Sequence, residues 1–204
     1  MATSYKTPGV YVEEISTFPP SVAQVETAIP AFVGFTETAL KDGNDLTDVP
    51  TRIVSLLEYE RYFGKADPET GITLFIKDSI HSSDPTTVLD RKISSVLGSP
   101  SNYNMYYAMR MYFDNGGGPC YICSVGDYTS GTVSQSDLVG GLQELEKYDE
   151  PTLYVFPDAL KVSTASSYYS LINQALQQSQ KLKDRFVIID AFNDDSATVR
   201  GTAS

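Results

Sequence analysis

Histidine occurs once in this chain of 204 residues, cysteine twice and tryptophan not at all. That scarcity leaves little material for metal ligation or nucleophilic catalysis. Basic residues are also few: 15 Lys and Arg stand against 26 Asp and Glu, a net charge of −11. Nucleic-acid binding rests on a basic surface that neutralises phosphates, so no nucleic-acid partner is expected. No apolar run approaches the ~20 residues of a membrane-spanning helix, which argues against direct membrane insertion. The opening Met1–Glu14 has no apolar stretch of the kind that marks a secretory signal. What is present is aromatic, with 14 Tyr and 9 Phe, many of them bunched. A hydrophobic share of 41%, with 14 Gly and 11 Pro, is that of a globular chain and excludes collagen, coiled coil and wholesale disorder. The length suits one large domain, alone or with an appendage.

The two cysteines form Cys120-Tyr121-Ile122-Cys123, inside an apolar run from Cys120 to Val125. In a strand, positions i and i+3 face opposite ways and lie about 10 Å apart. A disulfide needs Cα atoms within about 7 Å, so these two cannot bond each other. A redox pair would sit at a helix N-terminus, and a zinc site would need a second ligand pair. Both are therefore expected to be buried, reduced thiols, which fits assembly in a cytoplasm.

Residues 1–27 do not read as a domain. Pro8, Gly9, Pro19 and Pro20 punctuate them, and only Val10 to Ile15 resembles a strand. A lone strand leaves its ladder groups unpaired, so it must join a sheet elsewhere in the fold or in another subunit. From Ala28 to Ser204 the pattern is that of an α/β body. Ile29 to Thr36 is a β-prone run, and Ser55 caps a short helix, Leu56 to Phe63, that Gly64 stops. Leu56, Tyr59, Tyr62 and Phe63 form its inner stripe. Residues 65–101 read as a surface excursion of short elements between turns, with His81 a solvated side chain.

Three helix–strand pairs follow. A helix from Asn102 to Phe113 turns Met105, Ala108, Met109, Tyr112 and Phe113 inward, before the strand Cys120 to Val125. A helix from Ser136 to Tyr148, with Leu138, Leu142 and Leu145 in register, precedes the strand Thr152 to Phe156. A third, Ala165 to Leu182, carries Tyr168, Leu171, Ile172, Ala175 and Leu176 inward, before the strand Arg185 to Phe192. The order predicts a mostly parallel, mixed sheet flanked by helices on both faces.

Ligands of such sheets bind beyond the carboxyl ends of the strands. The Gly-rich Asn115–Gly118 leaves a helix and enters a strand, the reverse of a phosphate cradle. Asp127, Asp158, Asp190, Asp194 and Asp195 sit at strand ends and are the candidates for a magnesium or nucleotide site of an α/β enzyme. Asp at such positions ordinarily caps turns and helices. No catalytic, metal or cofactor-binding residue is assigned, and no cofactor is expected.

Several blocks are similar, in order, to the contractile tail sheath proteins of phages and of related bacterial injection particles. They are Pro8-Gly9-Val10-Tyr11-Val12-Glu13-Glu14, then Ile29-Pro30-Ala31-Phe32-Val33-Gly34, then Met111 to Ile122 with its Asn-Gly-Gly core. Glu150-Pro151 before Leu153 to Asp158, and Asp184-Arg185-Phe186 before Val187 to Asp190, complete the set. The resemblance runs from about residue 7 to 192. It implies a non-enzymatic structural subunit that stacks in sixfold rings around an inner tube and contracts to drive the tube through a target envelope. The partners implied are neighbouring sheath subunits, the inner tube protein, and baseplate and cap proteins; a baseplate or adaptor subunit is the alternative of the same class. Assembly would take place in the bacterial cytoplasm, as part of a phage tail or of a particle released from the cell. It also implies that residues 1–27 are an extended arm whose strand, Val10, Tyr11, Val12, Glu13, Glu14 and Ile15, pairs with a neighbouring subunit. Family members continue beyond a strand like Arg185–Phe192 into a further domain and a C-terminal arm, so the resemblance implies a truncated form of a longer multi-domain subunit.

Overall fold

The computed structural model describes residues 28–192. The arm strand Val10–Ile15 and the aspartates Asp194 and Asp195 lie outside the described residues. In chain order the elements are β1 (Pro30–Gly34), β2 (Leu40–Lys41), β3 (Asn44–Asp45), β4 (Thr51–Ile53), α1 (Leu56–Phe63), β5 (Ile72–His81) and β6 (Asp84–Leu97). Then follow α2 (Met105–Asp114), β7 (Cys120–Ser124), α3 (Gln135–Leu145), β8 (Leu153–Val155), α4 (Ala165–Leu182) and β9 (Phe186–Val187).

Five strands form one sheet in the order β4-β7-β1-β8-β9. β1 is parallel to β7 and β8, β9 is parallel to β8, and β4 alone runs antiparallel. This is the predicted mixed α/β sheet. The central strand β1 is buried along its whole length, as a strand covered on both faces must be. Pro30 opens it, where a missing N–H costs least.

Alternation divides β1 and β7 between two cores. Phe32, Cys120 and Ile122 turn toward α1 and α2, where they meet Ile53, Tyr59, Phe63, Met105 and Met109. Ala31, Val33 and Cys123 turn toward α3 and α4, among Leu138, Leu142, Tyr154, Tyr168 and Leu171. The two cysteines therefore lie on opposite faces, both unbonded and buried. Burial pushes each thiol up to about 12. α3 can lie this close to the sheet because of Gly141. A Cβ there would stand 2.5 Å from Val125 Cγ1 and 2.7 Å from Val33 Cγ1.

Several expectations need correction. α1 and α4 have the predicted bounds, and Ser55 caps α1 by accepting the Glu58 N–H. α3 is capped by Ser134, which accepts the Asp137 N–H, and not by Ser136. α2 starts at Met105 rather than Asn102, because its first N–H groups are held by a distant carboxylate, described below. In α4, Leu176 is 44% exposed and Gln178 is buried in its stead. The last strand is two residues long instead of eight. Its continuation is drawn off by α4: Tyr168 Oη donates to the Asp190 carbonyl at 2.7 Å and accepts the Asp190 N–H at 3.1 Å.

The largest difference lies in residues 65–101. In place of short elements there is one antiparallel hairpin, β5 paired with β6 from Ile72↔Leu97 to His81↔Asp84. The turn is Ser82-Ser83; of the turn-like stretch Ser82 to Thr87, residues Asp84 to Thr87 belong to β6. Within β5, β6 and their turn, every described side chain is exposed.

Candidate functional site

The five strand-end aspartates were the sequence-level candidates, and three of them are described. Asp158 is fully buried and committed to backbone N–H groups. Its Oδ2 accepts from Phe35 N at 2.8 Å, its Oδ1 accepts from Asn104 N at 2.5 Å, and Met105 N also donates to it. One carboxylate thus ties the end of β1 to the N-terminus of α2. There it supplies the cap that Asn104's own side chain does not, and it meets the favourable end of the helix dipole. Burial pushes the carboxyl up to about 6, against the downward pull of the three N–H donors.

Asp127 is exposed and caps a single turn, Tyr128–Ser130, by accepting from Thr129 N at 2.9 Å. That bonding, with the Thr129 hydroxyl, holds its carboxyl below the usual range. Asp190 contributes its backbone to Tyr168, as described above. The Asp158 and Asp127 carboxylates are thus engaged by backbone N–H groups, and among the described residues no three His, Cys, Asp or Glu side chains converge as a metal cluster. His81 lies at the hairpin tip, where Nδ1 is 2.9 Å from Ser83 Oγ.

Beyond the carboxyl ends of β1 and β7 there is an open cleft of about 550 Å³, bordered by Glu37, Asp45, Thr47 and Asp127. Its acids are also engaged. Glu37 Oε2 accepts from Lys65 N at 2.6 Å, and Asp45 Oδ1 from Thr47 N at 2.8 Å. The geometry makes these groups loop braces.

A polar cluster that sequence reading missed lies on the α3–α4 side. Arg185 is buried, although it directly precedes β9. Its guanidinium donates to the carbonyls of Leu145 and Tyr148 and to Tyr154 Oη, closing the C-terminal end of α3. Gln178 Nε2 donates to the Leu142 carbonyl at 3.1 Å and to Tyr154 Oη at 2.8 Å. This explains why a polar side chain, Gln178, continues the inner stripe of α4 after Ala175.

The remaining features are apolar and exposed. One is a groove of about 460 Å³ between the sheet face of Phe32, Leu153 and Val155, with Ile188 beyond β9, and the α2 side chains Met111 and Tyr112. Met111 is largely exposed there, and so is Phe186 on β9. The other is the β5–β6 hairpin. No helix among the described residues is long and apolar enough to cross a membrane.

No protein-family profile matches the chain, and no curated protein sequence does. Solved structures do match. One is the contracted helical sheath of the anti-feeding prophage, 27% identical, covering 95% of this chain and 42% of that one, with a TM-score of 0.50. Another is the contracted baseplate of the same particle, 18% identical, covering 98% of this chain and 44% of that one, with a TM-score of 0.55. The second likeness is one of fold alone. The chain thus spans less than half the length of the solved chains it matches.

Proposed function

Since the chain is tail-sheath-like in fold and similar to components of a contractile injection system, we propose that it is a structural, non-enzymatic part of a sheath subunit. The subunit stacks in sixfold rings around an inner tube, between baseplate and cap proteins, and contracts to drive the tube through a target envelope. The observation that carries this reading is the match to a contracted helical sheath along nearly the whole chain. It is supported by the site geometry, in which the candidate acids cap loops and helices.

Residues 28–204 serve as the body and residues 1–27 as an arm. Val10 to Ile15 pairs with a sheet of a neighbouring subunit, giving directional main-chain bonds without fixing the rest of the interface. A few such bonds at about 0.5–1.5 kcal/mol each, with side-chain burial at about 1.5–3 kcal/mol for a residue such as Val12 or Ile15, make a tether. Pro19-Pro20 acts as a semi-stiff hinge behind it. Body contacts then change during contraction while the tethers persist.

Electron microscopy of the protein overproduced in bacteria tests this. Hollow tubes with sixfold cross-section are expected, and a variant lacking residues 1–20 should remain folded yet form none. Absence of tubes from the parent, or normal tubes from the deletion, would overturn the reading.

A further inference from the structure

The β5–β6 hairpin combines three properties that do not normally coexist on a soluble surface. First, one face is an apolar strip. Ile72, Leu74 and Ile76 alternate along β5, Leu97 stands opposite Ile72 and Ile93 opposite Ile76, and the strip ends at Asp78 paired with Arg91. Ile72, Leu74, Ile76 and Ile93 are each about 60% exposed. The other face adds Phe75 and Val96. Second, nothing among the described residues covers either face, although a two-stranded ribbon alone is marginal in water. Third, the hairpin is electrically neutral: Lys77, Arg91 and Lys92 balance Asp78, Asp84 and Asp90, while the whole chain carries −11.

Charge and area together select the occupant. Two copies of a chain at −11 repel over most of their surfaces, so close contact is cheapest where no net charge is brought together. The neutral apolar hairpin meets that condition. Ten residues at about 3.4 Å, two strands wide at about 4.8 Å each, present on the order of 300 Å² per face. A stable interface needs about 800 Å² per partner, so one face is too small for a tight isolated pair, and both faces together approach the requirement. A contact of this kind becomes effective by repetition, with each copy both inserting its hairpin and receiving another.

We propose that the β5–β6 hairpin is a self-association element, covered in the assembly by second copies of this chain. The inference rests on the sheath-like reading only for the setting in which the contact repeats. The base of the hairpin permits a clean excision, because Gly98 N donates to the Gly71 carbonyl at 3.2 Å. Residues 72–97 can therefore be replaced by an Asn-Gly turn.

Sedimentation velocity up to the highest soluble concentration is expected to show a sedimentation coefficient that rises for the parent and stays flat for the excised variant. The substitutions Leu74→Ser, Ile76→Ser and Ile93→Ser together should flatten it as well, which keeps the test decisive if the excised variant does not fold. A benzoyl-phenylalanine photo-cross-linker at Ile76, in a mixture of ¹⁴N- and ¹⁵N-labelled protein, should give mixed-isotope dimers. A parent that stays monomeric, a variant that associates as the parent does, or cross-links confined to one copy would overturn the proposal. So would hairpin-dependent flotation with phosphatidylcholine vesicles without self-association, which would assign the face to lipid. Tubes from an excised variant that sediments like the parent would remove this proposal and leave the sheath reading; hairpin-dependent association without tubes would do the reverse.

Discussion

A Cβ on residue 34 would stand 2.5 Å from Asp158 Oδ2, so Gly34 and Asp158 share a space that any other side chain would close. Gly34 is the last residue of β1, and the carboxylate crosses its end to reach Phe35 N at 2.8 Å. The glycine is required by the approach of the acid. Gly34→Ala should therefore displace a carboxylate that holds two elements, at about 1–3 kcal/mol, the usual cost of overpacking. Urea unfolding checks this, with a lowered midpoint at unchanged slope as the expected result.

Removing the acid should cost more. Asp158→Ala leaves the N–H groups of Phe35, Asn104 and Met105 without their acceptor in a buried setting. At about 1–3 kcal/mol for each unsatisfied donor, the loss should reach about 3 kcal/mol. It should appear as early amide exchange in the first turn of α2, measured by hydrogen–deuterium exchange.

The same residue sets a pH dependence. Its carboxyl is raised from 3.8 to about 6 in the folded chain, so between those values the folded state binds a proton that the unfolded state does not. Its contribution to stability is complete below the unfolded value and is lost as pH rises through about 6. The stability gap between the parent and Asp158→Asn should widen by on the order of 1–3 kcal/mol from pH 7 to pH 4. Denaturant titrations at both pH values measure it, and a gap that narrows would contradict this account.

On the opposite face, Arg185 closes the end of α3 through two carbonyls and Tyr154 Oη. A lysine has one point of attachment and no planar fork, so Arg185→Lys should cost about 2 kcal/mol or more, by chemical denaturation. Tyr154→Phe leaves the guanidinium its two carbonyls and should cost about 1 kcal/mol.

The thiols offer a check on the sheet register. Cys120 and Cys123 are buried on opposite faces with thiols raised to about 12. Neither should react with iodoacetamide in the folded chain, and both should react in urea, read by intact mass. Rapid labelling of either one under native conditions would contradict the register of β7 with β1.

Local physics explains what was legible beforehand. Ser55 at the head of Leu56–Phe63, the stripe Tyr168, Leu171, Ile172 and Ala175, and the opposed cysteines all follow from side-chain periodicity and caps within a few residues. The hairpin was half legible. The turn residues Ser82 and Ser83 were visible in the sequence, but Asp84 to Thr87 looked like part of the same turn because strand pairing, which accommodates them, is not a local property.

Sequence alone determined the class of fold, the helices and central strands that build its two cores, and the scarcity of histidine and cysteine; the antiparallel edge strand β4, which brings Ile53 into the core, went unseen. The tertiary structure decided what each polar residue does. Asp158 and Phe35 are 123 positions apart, and no spacing rule joins them until β8 lies beside β1. Gln178 turns inward and Arg185 turns back because the open end of α3 and the Tyr154 hydroxyl need donors there. Periodicity reports which way a side chain points along its own element. Which buried polar group awaits it is settled only when elements meet, because the cost of an unsatisfied hydrogen bond exists only after burial.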